Sequence, residues 1–212
     1  MSKIQSLLTG TKPALIINEM QQGNLKMFPA LNAEVERRGV VANIAGLAAA
    51  FRAAGLPVFH APAIHHPDLI DQKRNSMIAN FVLKTKAMLP GTDDVKYLAG
   101  LDPERGDLVS ARSSGLFALI GTDMNVRLRR MGVDTIVVTG VSTNLGIPAL
   151  AMAGVDLAYH VIVPEDCIAA SDQKVHEMFI AEQLRILANM TTSQDVKDAL
   201  ALRSVDKGAV HV

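Results

Sequence analysis

The sequence predicts an α/β fold, a three-layer αβα sandwich built on a mainly parallel six-stranded sheet. Two observations carry this expectation. Short runs rich in β-branched residues punctuate longer segments of helical period, the alternation that covers a parallel sheet with helices on both faces. These runs are also apolar at consecutive rather than alternate residues, as strands buried on two faces require. With 212 residues, 49% of them apolar, the chain can bury a core without disulfides or a structural metal. One domain spanning residues 1–212 is the expected organisation.

The expected strands are 14–19, 57–61, 108–111, 135–139, 158–163 and 190–192. Between the first two, Val40, Ile44, Leu47 and Phe51 recur at spacings of four, three and four, one stripe of a helix that stops near Gly55. Stretches 23–34 and 62–106 show no clear period and are long, so they are expected to carry function or to pack against a neighbouring subunit. After the fourth expected strand, residues 139–146 form a turn into a helix reaching about Gly154; Pro148 suits its first turn, where a missing N–H is harmless. Val175, Met178, Phe179 and Ile186 read as a later helical stripe. Thr192-Ser193-Gln194-Asp195 resembles a capping box opening a last helix through Leu202. Residues 203–212 have no clear pattern.

Composition narrows the function classes. Lys plus Arg (21) balances Asp plus Glu (21), so the long-range attraction that drives phosphate-backbone binding is missing, and no nucleic-acid partner is expected. No apolar run approaches the roughly 20 residues that span a bilayer, and residues 1–11 lack the basic-then-apolar pattern of a signal peptide. A cytoplasmic protein without a membrane partner is therefore expected. The single cysteine, Cys167, excludes an internal disulfide and a Cys-rich zinc site. A surface of zero net charge offers little repulsion against self-association, which favours a homo-oligomer, dimer or tetramer.

Ligands of an open parallel sheet sit beyond the carboxyl ends of its strands, and three positions there carry polar groups. Glu19 closes the first expected strand. Half-buried, it would be poised for proton transfer, although a carboxylate capping the next loop has the same sequence. Arg112 follows the third strand, where its guanidinium can hold a substrate carboxylate bidentately, hold Glu19 ionised, or form a surface ion pair. The turn Thr139-Gly140-Val141-Ser142-Thr143-Asn144-Leu145-Gly146 ends at a helix N-terminus whose N–H groups favour negative charge. It reads as an oxyanion-binding turn, as a sharp βα connection capped by Thr143 or Asn144, or as both.

Together these segments resemble the isochorismatase-like (cysteine hydrolase) superfamily over residues 13–202. That family places an Asp after the first strand, a Lys after the third and a nucleophilic Cys in a G-V-x-T-N-x-C turn. Gly121-Thr122-Asp123-Met124, Leu128-Arg129-Arg130-Met131-Gly132-Val133 and Val163-Pro164-Glu165-Asp166-Cys167-Ile168-Ala169-Ala170 are similar to further runs of the family. The resemblance implies a hydrolase, with Glu19 in place of the Asp, Arg112 in place of the Lys and Gly146 in place of the Cys. A glycine carries no nucleophile, so the family's thioester chemistry cannot occur at that position. The catalytic set is therefore read as Glu19, Arg112 and Gly146. Gln21, His60, Phe117, Ser142, Thr143, Asn144 and Leu145 are expected to bind a small-molecule substrate.

The resemblance also implies a hydrolase without a cofactor, one that cleaves a vinyl ether or a C–N bond by general acid/base catalysis. The alternative is an inactive relative serving as a ligand-binding or partner subunit. Some members bind a metal after the second strand, where this chain has His60, His65, His66 and Asp68, but the Asp-x-His order is absent and no metal is expected. Cys167 reads as inert core rather than as a substitute nucleophile. Members often have a non-proline cis peptide in the turn, here equivalent to Val141–Ser142.

Overall fold

The computed structural model describes residues 1–208. Its centre is a seven-stranded sheet in which every pairing is parallel: β1 (Pro13–Asn18), β2 (Val58–Ala61), β3 (Leu108–Val109), β4 (Thr135–Val141), β5 (His160–Pro164), β6 (Ile168–Ala169) and β7 (Asn189–Thr191). The order across the sheet is β3-β2-β1-β4-β5-β7, with β6 also on β4. The αβα class is therefore the one the sequence predicts, with one strand more than the six expected. The extra strand arises where Pro164 and a single 3₁₀ turn (Glu165–Cys167) interrupt the strand beside β4. β5 pairs with Thr135–Val137, and β6 resumes the pairing at Gly140 and Val141.

Among the described residues, ten α-helices surround the sheet: α1 (Lys3–Gly10), α2 (Gln22–Met27), α3 (Pro29–Arg37), α4 (Val40–Ala53), α5 (Met77–Thr85), α6 (Met124–Arg130), α7 (Gly146–Asp156), α8 (Gln173–Phe179), α9 (Arg185–Leu187) and α10 (Ser193–Gly208). Strand alternation divides the core. Leu15 and Ile17 of β1 point into the layer holding α4 and α10, with Val137 of β4 and Ile162 of β5. Ala14 and Ile16 point into the layer holding α6 and α7, with Ile136, Val138, Val161 and Val163. Both faces are apolar, which is why these strands read as continuous rather than alternating runs.

Several elements differ from the sequence expectation. Residues 23–34, expected to be irregular, fall within α2 and α3 apart from Phe28 between them, the second helix opened by Pro29 at its first turn. α1 rests on a capping box between Ser2 and Gln5, the Gln5 amide donating to Ser2 Oγ (3.2 Å) and the Ser2 amide to Gln5 Oε1 (2.8 Å). The late stripe is corrected. His176, Ile180 and Leu184 are buried, whereas Met178 is 52% and Ile186 is 81% exposed. Residues Ile180–Leu184 are π-helical, and the wider turn moves the buried face to a four-residue spacing. The last helix opens at the expected box, where the Asp195 amide donates to Thr192 Oγ1 (3.2 Å), and it continues past Leu202. Of the stretch 203–212 that showed no pattern, residues 209–212 lie outside the described residues.

Candidate functional site

β1 ends between β2 and β4, so the residue after Asn18 emerges at the middle of the sheet's carboxyl edge. That residue is Glu19, whose backbone is left-handed at φ 53°, a conformation uncommon outside glycine and typical of functional sites. It is held on both sides. The Glu19 amide donates to the Ala61 carbonyl (3.2 Å), and its own carbonyl accepts from the Gln21 amide (2.8 Å) and from Asn24 Nδ2 (2.9 Å).

Arg112 arrives from the neighbouring edge strand. Its amide donates to Pro62 and its carbonyl accepts from Ile64, both at 3.0 Å, so the β2–β3 pairing continues past the strand ends. The side chains meet as an ion pair between Arg112 Nη2 and Glu19 Oε1, 10% and 18% exposed respectively. Arg112 Nε donates to the Gly115 carbonyl (3.1 Å), while Nη1 is buried without a partner among the described residues. Burial pulls the guanidinium down to about 10, so it stays charged at neutral pH and favours the ionised form of Glu19.

The turn after β4 lies against Asn18. The Val141–Ser142 peptide bond is cis. Asn18 occupies the next position on the β1 face that carries Ala14 and Ile16, the face covered by α7. Its Nδ2 donates to the Val141 carbonyl (2.6 Å), which satisfies a buried polar side chain in an otherwise apolar strand. Two glycines permit this approach. A Cβ at Gly140, where φ is 104°, would lie 2.1 Å from the Asn18 carbonyl oxygen, and a Cβ at Gly146 would lie 2.6 Å from Asn18 Nδ2 and 2.8 Å from the Val141 oxygen. The structure has no room for a side chain at residue 146 as it stands.

Beyond the turn, the Leu145 and Ile147 amides both donate to the Ser142 carbonyl (3.1 Å), and the Thr143 amide donates to Ala169 (2.8 Å). The amides of Asn144 and Gly146 donate to no acceptor among the described residues. They stand at the positive end of the 11-residue α7, where donors and helix dipole together favour negative charge.

A cavity of about 560 Å³ opens over this edge. Glu19, Arg112, Ser142, Asn144 and Leu145 are on its wall, as is His65 of the metal-like run; the other residues read from the sequence as catalytic or substrate-binding are elsewhere. Gly146 is buried behind the wall against Asn18. Thr143 is fully buried with its hydroxyl 2.9 Å from His176 Nδ1. Gln21, also fully buried, ties a loop together, accepting from the Ala63 amide (2.8 Å) and donating to the Ala63 carbonyl (3.1 Å). His60 turns toward α4, 3.1 Å from Asp107 Oδ2, and Phe117 is 37% exposed outside the cavity. The opposite wall comes from the stretches read as irregular: Phe28 and Leu31 from one, Ile78, Phe81 and Val82 of α5 from the other. Their length was the only sequence signal.

The three histidines of the metal-like run do not converge. His60 pairs with Asp107, His65 Nδ1 lies 2.6 Å from the Ser113 carbonyl oxygen, and His66 Nδ1 accepts from the Asp68 amide (3.1 Å). No group of three or more His, Cys, Asp or Glu side chains among the described residues is placed to hold a metal ion. Desolvation lowers His60, partly offset by Asp107, and takes His176 down to about 4, helped by Arg38. Both are neutral in the folded protein at pH 7. Cys167 is fully buried among Val196, Ala199 and other residues of the α4–α10 layer, off the cavity wall. Burial pushes its thiol far up, and Asp166 adds to the shift, so it carries almost no thiolate.

Comparison with known proteins agrees with this geometry. The isochorismatase domain family matches residues 13–195. The isochorismatase family protein YecD of Escherichia coli O157:H7 is 30% identical over 195 residues, covering 91% of this chain and 98% of its own. Maleamate amidohydrolase of Pseudomonas putida is 26% identical over 196 residues, covering 90% and 88%. Among solved structures, an isochorismatase family protein from Desulfovibrio vulgaris superposes with a TM-score of 0.77 at 29% identity, covering 90% of this chain and 99% of that one. No helix among the described residues is long and apolar enough to cross a membrane.

Proposed function

The chain belongs to the isochorismatase family, and from this premise we propose that it hydrolyses a C–N bond of a small acyl substrate with Glu19 as general base and no thiol. The observation that carries this reading is the Glu19–Arg112 ion pair on the cavity wall. A carboxylate held ionised beside a guanidinium is free to accept a proton at neutral pH and has none to donate at rest, which favours attack by an activated water over protonation of a vinyl ether.

In this mechanism water loses a proton to Glu19 as its oxygen bonds to the acyl carbon. The carbonyl electrons move onto oxygen, facing the amide donor of Asn144 on the cavity wall. When the tetrahedral species collapses, the C–N bond breaks, the carbonyl re-forms and Glu19 returns the proton to the leaving nitrogen. A carboxylic acid and an amine or ammonia result. Arg112 keeps Glu19 charged between turnovers, and Ser142 and Leu145 line the approach. Residues held away from the wall (Gln21, His60, Thr143) would then shape the site rather than touch substrate, and Phe117 would contribute only if it turned inward.

Two facts support a mechanism without a thiol. The sole cysteine is buried outside the cavity with its thiol protonated, and residue 146 has no Cβ and no space for one. That a relative is a maleamate amidohydrolase supports the choice of C–N hydrolysis over an inactive subunit. A product-release screen tests the proposal. Ammonia and carboxylic acid should appear from one class within a panel of amides and ureides; pyruvate release from enol ethers alone would replace C–N hydrolysis by vinyl-ether cleavage.

A further inference from the structure

Arg112 leaves one donor uncommitted. Its Nη2 is on Glu19 and its Nε on the Gly115 carbonyl, but Nη1 is buried without a partner among the described residues, in a side chain only 10% exposed. A buried unpaired N–H on a cation costs free energy that a ligand oxygen would recover, and Arg112 lies on the wall of the cavity a ligand would enter. The guanidinium fork can bind Glu19 and a second oxygen at once through different nitrogens.

One wall of the cavity has the opposite chemistry. Phe28, with Leu31 of α3, shares one wall with Ile78 and Phe81 of α5. Phe28 and Phe81 stack with centroids 6.4 Å apart and an interplanar angle of 30°. They are 43% and 38% exposed, and Ile78 is 38% exposed, so this wall holds apolar surface that a ligand can still cover. Among the described residues, the ionisable side chains lining the cavity besides Glu19 and Arg112 are Asp71 and Lys73, of opposite sign, and His65. About 560 Å³ lies well inside the range of sites that enclose drug-sized ligands.

Resting on the reading of this cavity as the acyl site, we infer that its ligand is an amphipathic carboxylic acid derivative. A carboxylate or acyl oxygen meets Arg112 Nη1, and an aryl or branched-alkyl body lies along Phe28, Leu31, Ile78 and Phe81. Short polar acids reach Arg112 but leave the apolar wall in water. The burial of a phenyl-sized body therefore decides between substrates.

Calorimetric titration of the full-length protein with 4-phenylbutanoate, 4-phenylbutan-1-ol and acetate tests both halves. The acid is expected to bind at least about tenfold more tightly than the alcohol and about a hundredfold more tightly than acetate, corresponding to the loss of a charge-assisted hydrogen bond and of a buried aryl group. Phe81→Ala, at a partly exposed position, should weaken phenylbutanoate about tenfold and leave acetate unchanged. Arg112→Lys should weaken phenylbutanoate and not the alcohol; if that variant does not fold, the acid–alcohol ratio on the wild-type protein decides the same point. Equal affinity for acid and alcohol overturns the Arg112 contact. Affinity unchanged by Phe81→Ala, acetate binding as tight as phenylbutanoate, or binding of none overturns the apolar wall. Phenylbutanoate binding without amide or ureide hydrolysis would contradict the hydrolase proposal and leave this inference standing. Hydrolysis of short polar amides with no preference for phenylbutanoate would do the reverse.

Discussion

Glu19→Gln is expected to lower kcat about 10³-fold or more on whichever amide or ureide the protein hydrolyses, with KM changed less than about threefold. The substitution keeps the shape of the side chain and the oxygen that accepts from Arg112 Nη2, but removes the proton acceptor. General bases contribute roughly 10²–10⁴ to rate, and loss of a group needed only in the transition state falls on kcat and not on substrate binding. Circular dichroism and thermal melting should show a folded protein. Glu19→Asp, one methylene shorter, keeps the base but moves it from its accepting distance, so a smaller loss, about 10- to 100-fold, should accompany it. A rate for Glu19→Gln within tenfold of wild type would remove Glu19 from the mechanism and leave the ion pair as structure alone.

Gly146→Cys is expected to destabilise the protein and gain no thiol-dependent activity. Its Cβ would meet Asn18 Nδ2 at 2.6 Å and the Val141 oxygen at 2.8 Å. The first is the end of a side chain, but that side chain is buried and bonded to Val141; the second is backbone and moves only with the turn. Overpacking costs roughly 1–3 kcal/mol and a buried hydrogen bond lost in the process about 1 kcal/mol more. A total of about 2–4 kcal/mol lowers the melting temperature by roughly 5–15 °C in a chain of this size. The double variant Asn18→Ala/Gly146→Cys should recover part of the loss, because one of the two collisions is gone, and a double-mutant cycle should show coupling between the residues. A stable Gly146→Cys protein, with no coupling to Asn18, would mean that the turn tolerates a side chain there and that Asn18 does not exclude one.

The fold was legible because its physics is local and repetitive. Strands such as residues 135–141, buried on both faces, must be apolar throughout, and the stripe from Val40 to Phe51 faces one core layer. The position of Glu19 and Arg112 at the edge was legible for a related reason: both are charges placed directly after apolar runs, where an open sheet presents its ligands. What the sequence hides is relational. Asn18 looks like one polar residue at a strand end, and Gly146 looks like a missing cysteine. Only the register of β1 beside β4 shows that the amide of one fills the space beside the other. The apolar wall escaped because Phe28, Ile78 and Phe81 sit in segments whose period is too short or interrupted to read, and the late stripe misled because a π-helical turn shifts its buried face. His60 ends a strand as a pocket residue would, yet alternation turns it away from the cavity toward Asp107.

The central claim, hydrolysis without a thiol, is tested most directly by turnover of Cys167→Ala, which removes the only cysteine in the chain. On the substrate identified by product release, kcat/KM should stay within about twofold of wild type, since the thiol is buried, protonated and off the cavity wall. A folded Cys167→Ala protein with activity reduced 10³-fold or more would contradict the account and make Cys167 the nucleophile.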